Sequence, residues 1–153
     1  MKKEKVSDIS RPEVFLKNSE ILFVDDEKEL LLTVDEYLFQ RGYNITVVDS
    51  GLKALELTKK RRIDVLITDL KMPEVNGIEL LKAVKEHQPK TEVIILTGYG
   101  SIETAVEALK LGGYDYLQKP IKLDRLKALI DRILEKRSLK EENLFLKSRL
   151  QER

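Results

Sequence analysis

A chain of 153 residues with 28 Lys and Arg against 27 Asp and Glu has a formal net charge of +1. That balance gives no electrostatic case for binding nucleic acid or a membrane surface through the whole molecule. Cysteine is absent, which excludes disulfides, thiolate zinc sites and cysteine nucleophiles and suits a cytoplasmic protein. No apolar run approaches the ~18 residues that span a bilayer, and the charged start from Met1 to Asp8 is no signal peptide.

Residues 1–18 are polar apart from Val14, Phe15 and Leu16, and read as a flexible leader. A strand is expected from Glu20 to Val24, ending in Asp25, Asp26 and Glu27. Leu30, Leu31, Val34 and Leu38 then recur at helical spacing, with Gly42 as a stop. Asn44 to Val48 is a β-branched second strand. Ser50 is placed to cap a helix that turns Ala54 and Leu55 inward and closes on the solvated basic run Lys59 to Arg62.

Val65, Leu66, Ile67 and Thr68 read as a strand buried on both faces, with Asp69 at its carboxyl end. Met72 and Pro73 break it, and Asn76 and Gly77 turn the chain. Ile78, Leu81 and Val84 mark a third helix, ended near Pro89. Val93 to Leu96 is a strand running into Thr97 and Gly98. Ser101 is a candidate N-cap for a helix on Ile102, Ala105, Val106 and Leu109, stopped by Gly112 and Gly113. Tyr114 to Leu117 is a last short strand, leading to Gln118, Lys119 and Pro120. Strands alternating with helices of this length imply βαβ units, a parallel sheet and a three-layer α/β domain. Phe39 and Tyr43 are expected at the core edge and His87 at an exposed helix end. Tyr99 and Tyr114 are taken as packing or surface aromatics.

From Leu123 to the end no helix breaker occurs, and the helix would extend about 45 Å. Leu126, Leu129, Ile130, Ile133 and Leu134 form a stripe suited to packing on the sheet. Leu139, Asn143, Leu146 and Leu150 follow at heptad-like spacing, with Asn143 at a register-setting position. Pairing with a second helix and a solvated single helix are both open. The division is a leader at 1–18, a domain at 19–135 and a helical linker at 136–153.

Ligand sites in open α/β sheets lie outside the carboxyl ends of the strands. There the chain places Asp25, Asp26, Asp69, Thr97 and Lys119. A lone Asp at such a point could simply cap a turn, but several converging carboxylates repel one another unless a cation sits among them. Oxygen ligands without cysteine or a nearby histidine select Mg²⁺ or a similar ion. A carboxylate nucleophile, a metal, a hydroxyl and a lysine suit placing a phosphoryl group on an aspartate.

These pieces resemble the receiver (CheY-like) domains of bacterial two-component response regulators. The resemblance rests on Asp25 and Asp26, on Asp69 through Pro73 with Gly77, on Thr97 and Gly98, and on Tyr116 through Pro120. It spans about Glu20 to Leu134. It implies a doubly wound (βα)5 fold, a five-stranded parallel sheet in the order 2-1-3-4-5 and a cis Lys119–Pro120 bond. It also implies that Asp69 accepts a phosphoryl group from a sensor histidine kinase. Asp26 would bind Mg²⁺ directly, Asp25 through water, and the Lys71 carbonyl would complete the protein ligands. Thr97 and Lys119 would hold the phosphoryl oxygens, and Tyr116 would swing inward with Thr97 as a switch.

The stretch from Leu96 through Tyr116 is similar to receivers of the NtrC class. The similarity implies a dimer through the fourth helix, fifth strand, fifth helix and coiled-coil linker, and control of sigma-54-dependent transcription by an output domain. Gly113 stands where that class usually has alanine, which should only loosen the turn. No Walker A motif and no DNA-reading helix follow, so direct nucleic-acid binding is not expected. A piece cut after the linker is favoured over a stand-alone regulator. An Asp-nucleophile phosphohydrolase is the alternative enzyme, but Lys71 occupies the position two residues after Asp69 where a general acid would be wanted. A flavin binder is disfavoured because Asp25, Asp26 and Glu27 would repel a phosphate. A degenerate receiver acting only as a dimerisation module is the remaining option.

Overall fold

The strands form because their apolar runs are covered on both faces, as a parallel sheet between two helix layers requires. The computed structural model describes residues 18–98 and 102–151. Residues 1–17 of the expected leader at 1–18, Tyr99 and the proposed cap Ser101 lie outside the described residues. The strands are β1 (Glu20–Val24), β2 (Asn44–Val48), β3 (Val65–Asp69), β4 (Glu92–Thr97) and β5 (Asp115–Gln118). The helices are α1 (Lys28–Gln40), α2 (Gly51–Lys60), α3 (Gly77–His87), α4 (Ile102–Lys110) and α5 (Leu123–Gln151). All strand pairs are parallel, in the order β2-β1-β3-β4-β5. The fold is the expected doubly wound (βα)5 sandwich.

Side chains alternate along each strand, so one run supplies two cores. Ile21, Phe23, Val65, Ile67, Ile94 and Leu96 meet α1 and α5 through Leu31, Val34, Leu38, Leu126, Ile130 and Ile133. Leu22, Val24, Leu66, Val93 and Ile95 meet the other layer through Ala54, Leu80, Leu81, Val84, Ala105 and Ala108. Burying each of the large side chains contributes about 1.5–3 kcal/mol before entropy is charged.

Helix ends are fixed locally. Ser50 Oγ accepts from the Lys53 N–H at 3.2 Å. Gly42, at φ 91°, ends α1 while the Tyr43 N–H reaches the Leu38 carbonyl at 3.1 Å. The left-handed residue closes the last turn and seats Tyr43 beside Leu38. Asn76, read from sequence as part of a turn, is the N-cap of α3. Its Oδ1 accepts from the Glu79 N–H at 2.9 Å, and Glu79 reaches back to the Asn76 N–H.

Three sequence expectations shift. Tyr43 is not at the core edge but fully buried, its hydroxyl donating to Asp131 Oδ1. Phe39 is half-buried and His87 is exposed at the end of α3. On α4 the face that meets the sheet is Ala105 and Ala108, while Ile102 and Val106 are exposed. Periodicity marked the stripe, but packing rotated it. Finally, β5 begins at Asp115, with Tyr114 half-buried just before it.

On α5 the buried stripe is the expected one and ends at Leu134. Every residue from Leu139 to Gln151 is exposed, Leu139, Leu146 and Leu150 included. At 3.6 residues per turn, the seam of Leu139, Asn143, Leu146 and Leu150 lies roughly 140° round the helix from the buried stripe. It faces away from the chain's own sheet. No helix among the described residues is long and apolar enough to cross a membrane.

Candidate functional site

The sheet changes direction of winding between β1 and β3, and a crevice opens at their carboxyl ends. β1 runs directly into Asp25 and Asp26, while β3 ends on Asp69. One carboxylate oxygen from each of Asp25, Asp26 and Asp69 lies within 4.8 Å of the others. Asp25 is fully buried and Asp69 nearly so, while Asp26 is exposed. The end of β5, separated from β3 by β4, delivers the cation. Lys119 follows β5, and its N–H donates to the Thr97 carbonyl at 2.7 Å, tying it to the end of β4. The Lys119–Pro120 peptide is cis.

Lys119 Nζ lies 2.8 Å from Asp25 Oδ2, 3.1 Å from Asp69 Oδ2 and 3.2 Å from Glu27 Oε1. Burial on its own would lower the ammonium pKa, but the contacts with Asp25 and Asp69 outweigh it and hold it above the ordinary value. Burial dominates at Asp25 and raises its carboxyl above the ordinary range, against the pull of the Lys119 ammonium and the Glu27 N–H.

The site residues expected from sequence are brought together unequally. Asp25, Asp26, Asp69 and Lys119 converge. Thr97 is fully buried at the end of β4, and its hydroxyl lies 3.5 Å from the Leu117 carbonyl, a long bond. Tyr116 is half-buried and packs on the α2, α3 and α4 side of the sheet, opposite Ile95 in register. Lys71 lies in the β3–α3 loop with its side chain exposed. Glu27 was not foreseen as a partner of Lys119. The available signal was its place directly after the two aspartates at a strand end.

The loop after β3 is held close to the nucleophile candidate. The Gly77 N–H donates to the Leu70 carbonyl at 2.9 Å, and a Cβ on Gly77 would fall 2.4 Å from the Asp69 carbonyl oxygen. Only glycine fits there. Glu74 sits at φ 66° within a turn in which the Val75 N–H meets the Pro73 carbonyl at 2.8 Å. At Gly98, by contrast, an added Cβ would meet no described atom within 4 Å.

The donor set fits a hard divalent cation. All three donors are carboxylates whose oxygens lie within 4.8 Å of one another, the all-oxygen set that such ions prefer, and the one cation among them, Lys119, leaves a net negative charge for an ion to balance. One face of the crevice therefore carries concentrated negative charge and the other a lysine. That arrangement suits binding a phosphoryl group beside a metal.

The model of the response regulator receiver domain matches residues 21–131. The chain is 42% identical over 117 residues to the transcriptional regulatory protein ZraR of Escherichia coli O157:H7, a match that covers 76% of this chain and 26% of ZraR. It is 37% identical over 133 residues to a putative response regulator NtrX-like of Rickettsia bellii, covering 86% and 28%. Both relatives are NtrC-class regulators. The chain thus spans about a quarter of the length of these curated relatives. A solved receiver domain protein from Clostridium thermocellum superposes with a TM-score of 0.75 at 33% identity, covering 79% of this chain and 98% of that one. With site geometry, fold and sequence match in agreement, the chain belongs to the response regulator receiver domain family of two-component systems and is most like its NtrC-class members.

Proposed function

We propose that this receiver is a phosphorylation switch whose phosphoacceptor is Asp69. The observation that carries the reading is Lys119 Nζ held between Asp25 and Asp69 at the mouth of a three-carboxylate crevice. An Asp69 carboxylate oxygen attacks phosphorus on a phosphohistidine of a sensor kinase. The new P–O bond forms as the P–N bond breaks, and the imidazole leaves with the electron pair. Lys119 then moves from the Asp69 carboxylate to a phosphoryl oxygen, and Thr97 turns its hydroxyl from the Leu117 carbonyl toward another. Tyr116, on the neighbouring strand, follows Thr97. Asp25, Asp26, Asp69 and the Lys71 carbonyl would hold Mg²⁺, which supplies charge neutralisation for the transferring group.

The switch acts on the association of two copies. Ile102 and Val106 on α4 and Leu139, Leu146 and Leu150 on α5 are apolar and exposed in a single copy. A second copy would cover both sets and set the state of an output domain beyond the linker at 136–153. The printed name of ZraR, a transcriptional regulatory protein, supports transcription regulation as that output; the NtrC class adds sigma-54 dependence.

The test is intact-protein mass after incubation with a small phosphodonor and Mg²⁺, beside Asp69→Ala. One added phosphoryl group, absent in the variant and after chelation, is the expected result. No adduct, together with failure of a beryllofluoride mimic to bind, overturns the reading.

A further inference from the structure

The pole opposite the acidic rim carries a second polar junction. Asp64, just before β3, is 5% exposed. Its Oδ2 accepts from the Glu20 N–H at 2.7 Å, and its N–H donates to the Glu20 carbonyl at 2.8 Å. The Asp64 carbonyl accepts from the Glu92 N–H at 3.0 Å. One residue thus joins the starts of β1, β3 and β4. Into this junction α5 inserts Arg137. Its Nη1 lies 3.0 Å from Asp64 Oδ1 and 3.3 Å from the Asp64 carbonyl, and its Nη2 donates to the Lys90 carbonyl at 2.9 Å.

Arg137 stands one turn after Leu134, the last buried residue of α5. Beyond it the helix has no buried side chain against the sheet. An amphipathic helix is held by its apolar face, so past Leu134 the direction of α5 has no hydrophobic support. The guanidinium replaces it. Its planar fork donates to Asp64 through Nη1 and to the Lys90 carbonyl through Nη2, a fixed two-nitrogen geometry that lysine, with one nitrogen, does not reproduce. Arg62 also approaches Asp64 Oδ2, at 3.5 Å, but its side chain is 71% exposed. That pair contributes little, being screened by solvent.

We propose that Arg137 is a positioning residue. Clamped between Asp64 and the Lys90 carbonyl, it fixes the direction in which the linker half of α5 leaves the receiver, and so the direction in which the seam of Leu139, Asn143, Leu146 and Leu150 faces. The clamp acts within one copy and does not depend on phosphorylation or on dimerisation.

The experiment is amide residual dipolar coupling on the full chain, with association state measured by sedimentation on the same samples. In the unaltered protein, couplings from 139–151 fit one alignment tensor with those of the receiver. In Arg137→Ala the receiver couplings keep their pattern, because Asp64 retains the Glu20 N–H and Arg62. The linker couplings no longer fit the common tensor, and amides 135–138 exchange about tenfold faster, as loss of a charged hydrogen bond implies. Arg137→Lys behaves like the alanine variant, and Lys136→Ala, an exposed neighbour, like the unaltered chain. A common tensor that persists in Arg137→Ala, or full function of Arg137→Lys, overturns the clamp. Either result is read whether the chain is one copy or two, so failure of the dimer reading is scored separately.

Discussion

Lys119 Nζ lies 3.1 Å from Asp69 Oδ2 and 2.8 Å from Asp25 Oδ2, so one ammonium neutralises two carboxylates that enter from different strands. Both carboxylates are largely buried, and removing the cation leaves them facing each other.

Lys119→Met is therefore expected to destabilise the metal-free receiver by about 2 kcal/mol, the scale of a lost charged hydrogen bond with its buried partner left behind. Excess Mg²⁺ should restore most of that loss by binding the folded site. Urea denaturation in chelator and in Mg²⁺ measures both. An equal loss in the two conditions would count against a cation site at these carboxylates.

Gly77→Ala places a methyl group 2.4 Å from the Asp69 carbonyl oxygen and 2.9 Å from the Leu70 Cα. The backbone beside the phosphoacceptor must move. A cost of about 1–3 kcal/mol is expected, as for overpacking elsewhere, with slower phosphorylation of Asp69. Thermal denaturation and the rate of mass gain are the two readouts. An alanine variant equal to the parent in both would contradict the close approach.

Tyr43 is buried, and burial together with the bond to Asp131 raises its phenol well above the ordinary 10.0. The native state holds this proton above pH 10 and the unfolded state releases it. Stability therefore falls with pH above 10, and below 10 the group contributes no pH dependence. Tyr43→Phe should flatten that alkaline slope. At neutral pH the same change should cost about 1 kcal/mol for the lost hydrogen bond. Urea titrations at neutral and alkaline pH separate the two effects. An unchanged alkaline slope would remove Tyr43 as its source.

Leu139→Ala combined with Leu146→Ala removes seam side chains that are 60% and 52% exposed in one copy. Receiver stability should stay within about 0.5 kcal/mol, the usual range for surface changes. Sedimentation should show loss of self-association. A dimer that survives the double change would move the interface to α4 and β5.

The sequence by itself determined the sheet, because strands covered on both faces must be apolar throughout. Val65 to Thr68 and Val93 to Leu96 could be read for that reason. It also determined the acidic rim, since strand order in a doubly wound sheet sends Asp25, Asp26 and Asp69 to the same edge. The turn from buried stripe to exposed seam in α5 was visible as a change in apolar phase. Only the tertiary structure decided what covers what. Helical period groups Ile102 with Ala105 and Val106, but the orientation of α4 on the sheet selects Ala105 and Ala108. Tyr43 gives no local sign of its depth, because its partner Asp131 is 88 residues away. Glu27 with Lys119 and Arg137 with Asp64 are likewise meetings between distant segments. Spacing along a chain cannot specify them, because the fold alone sets the distance between residues that no shared helix or strand connects.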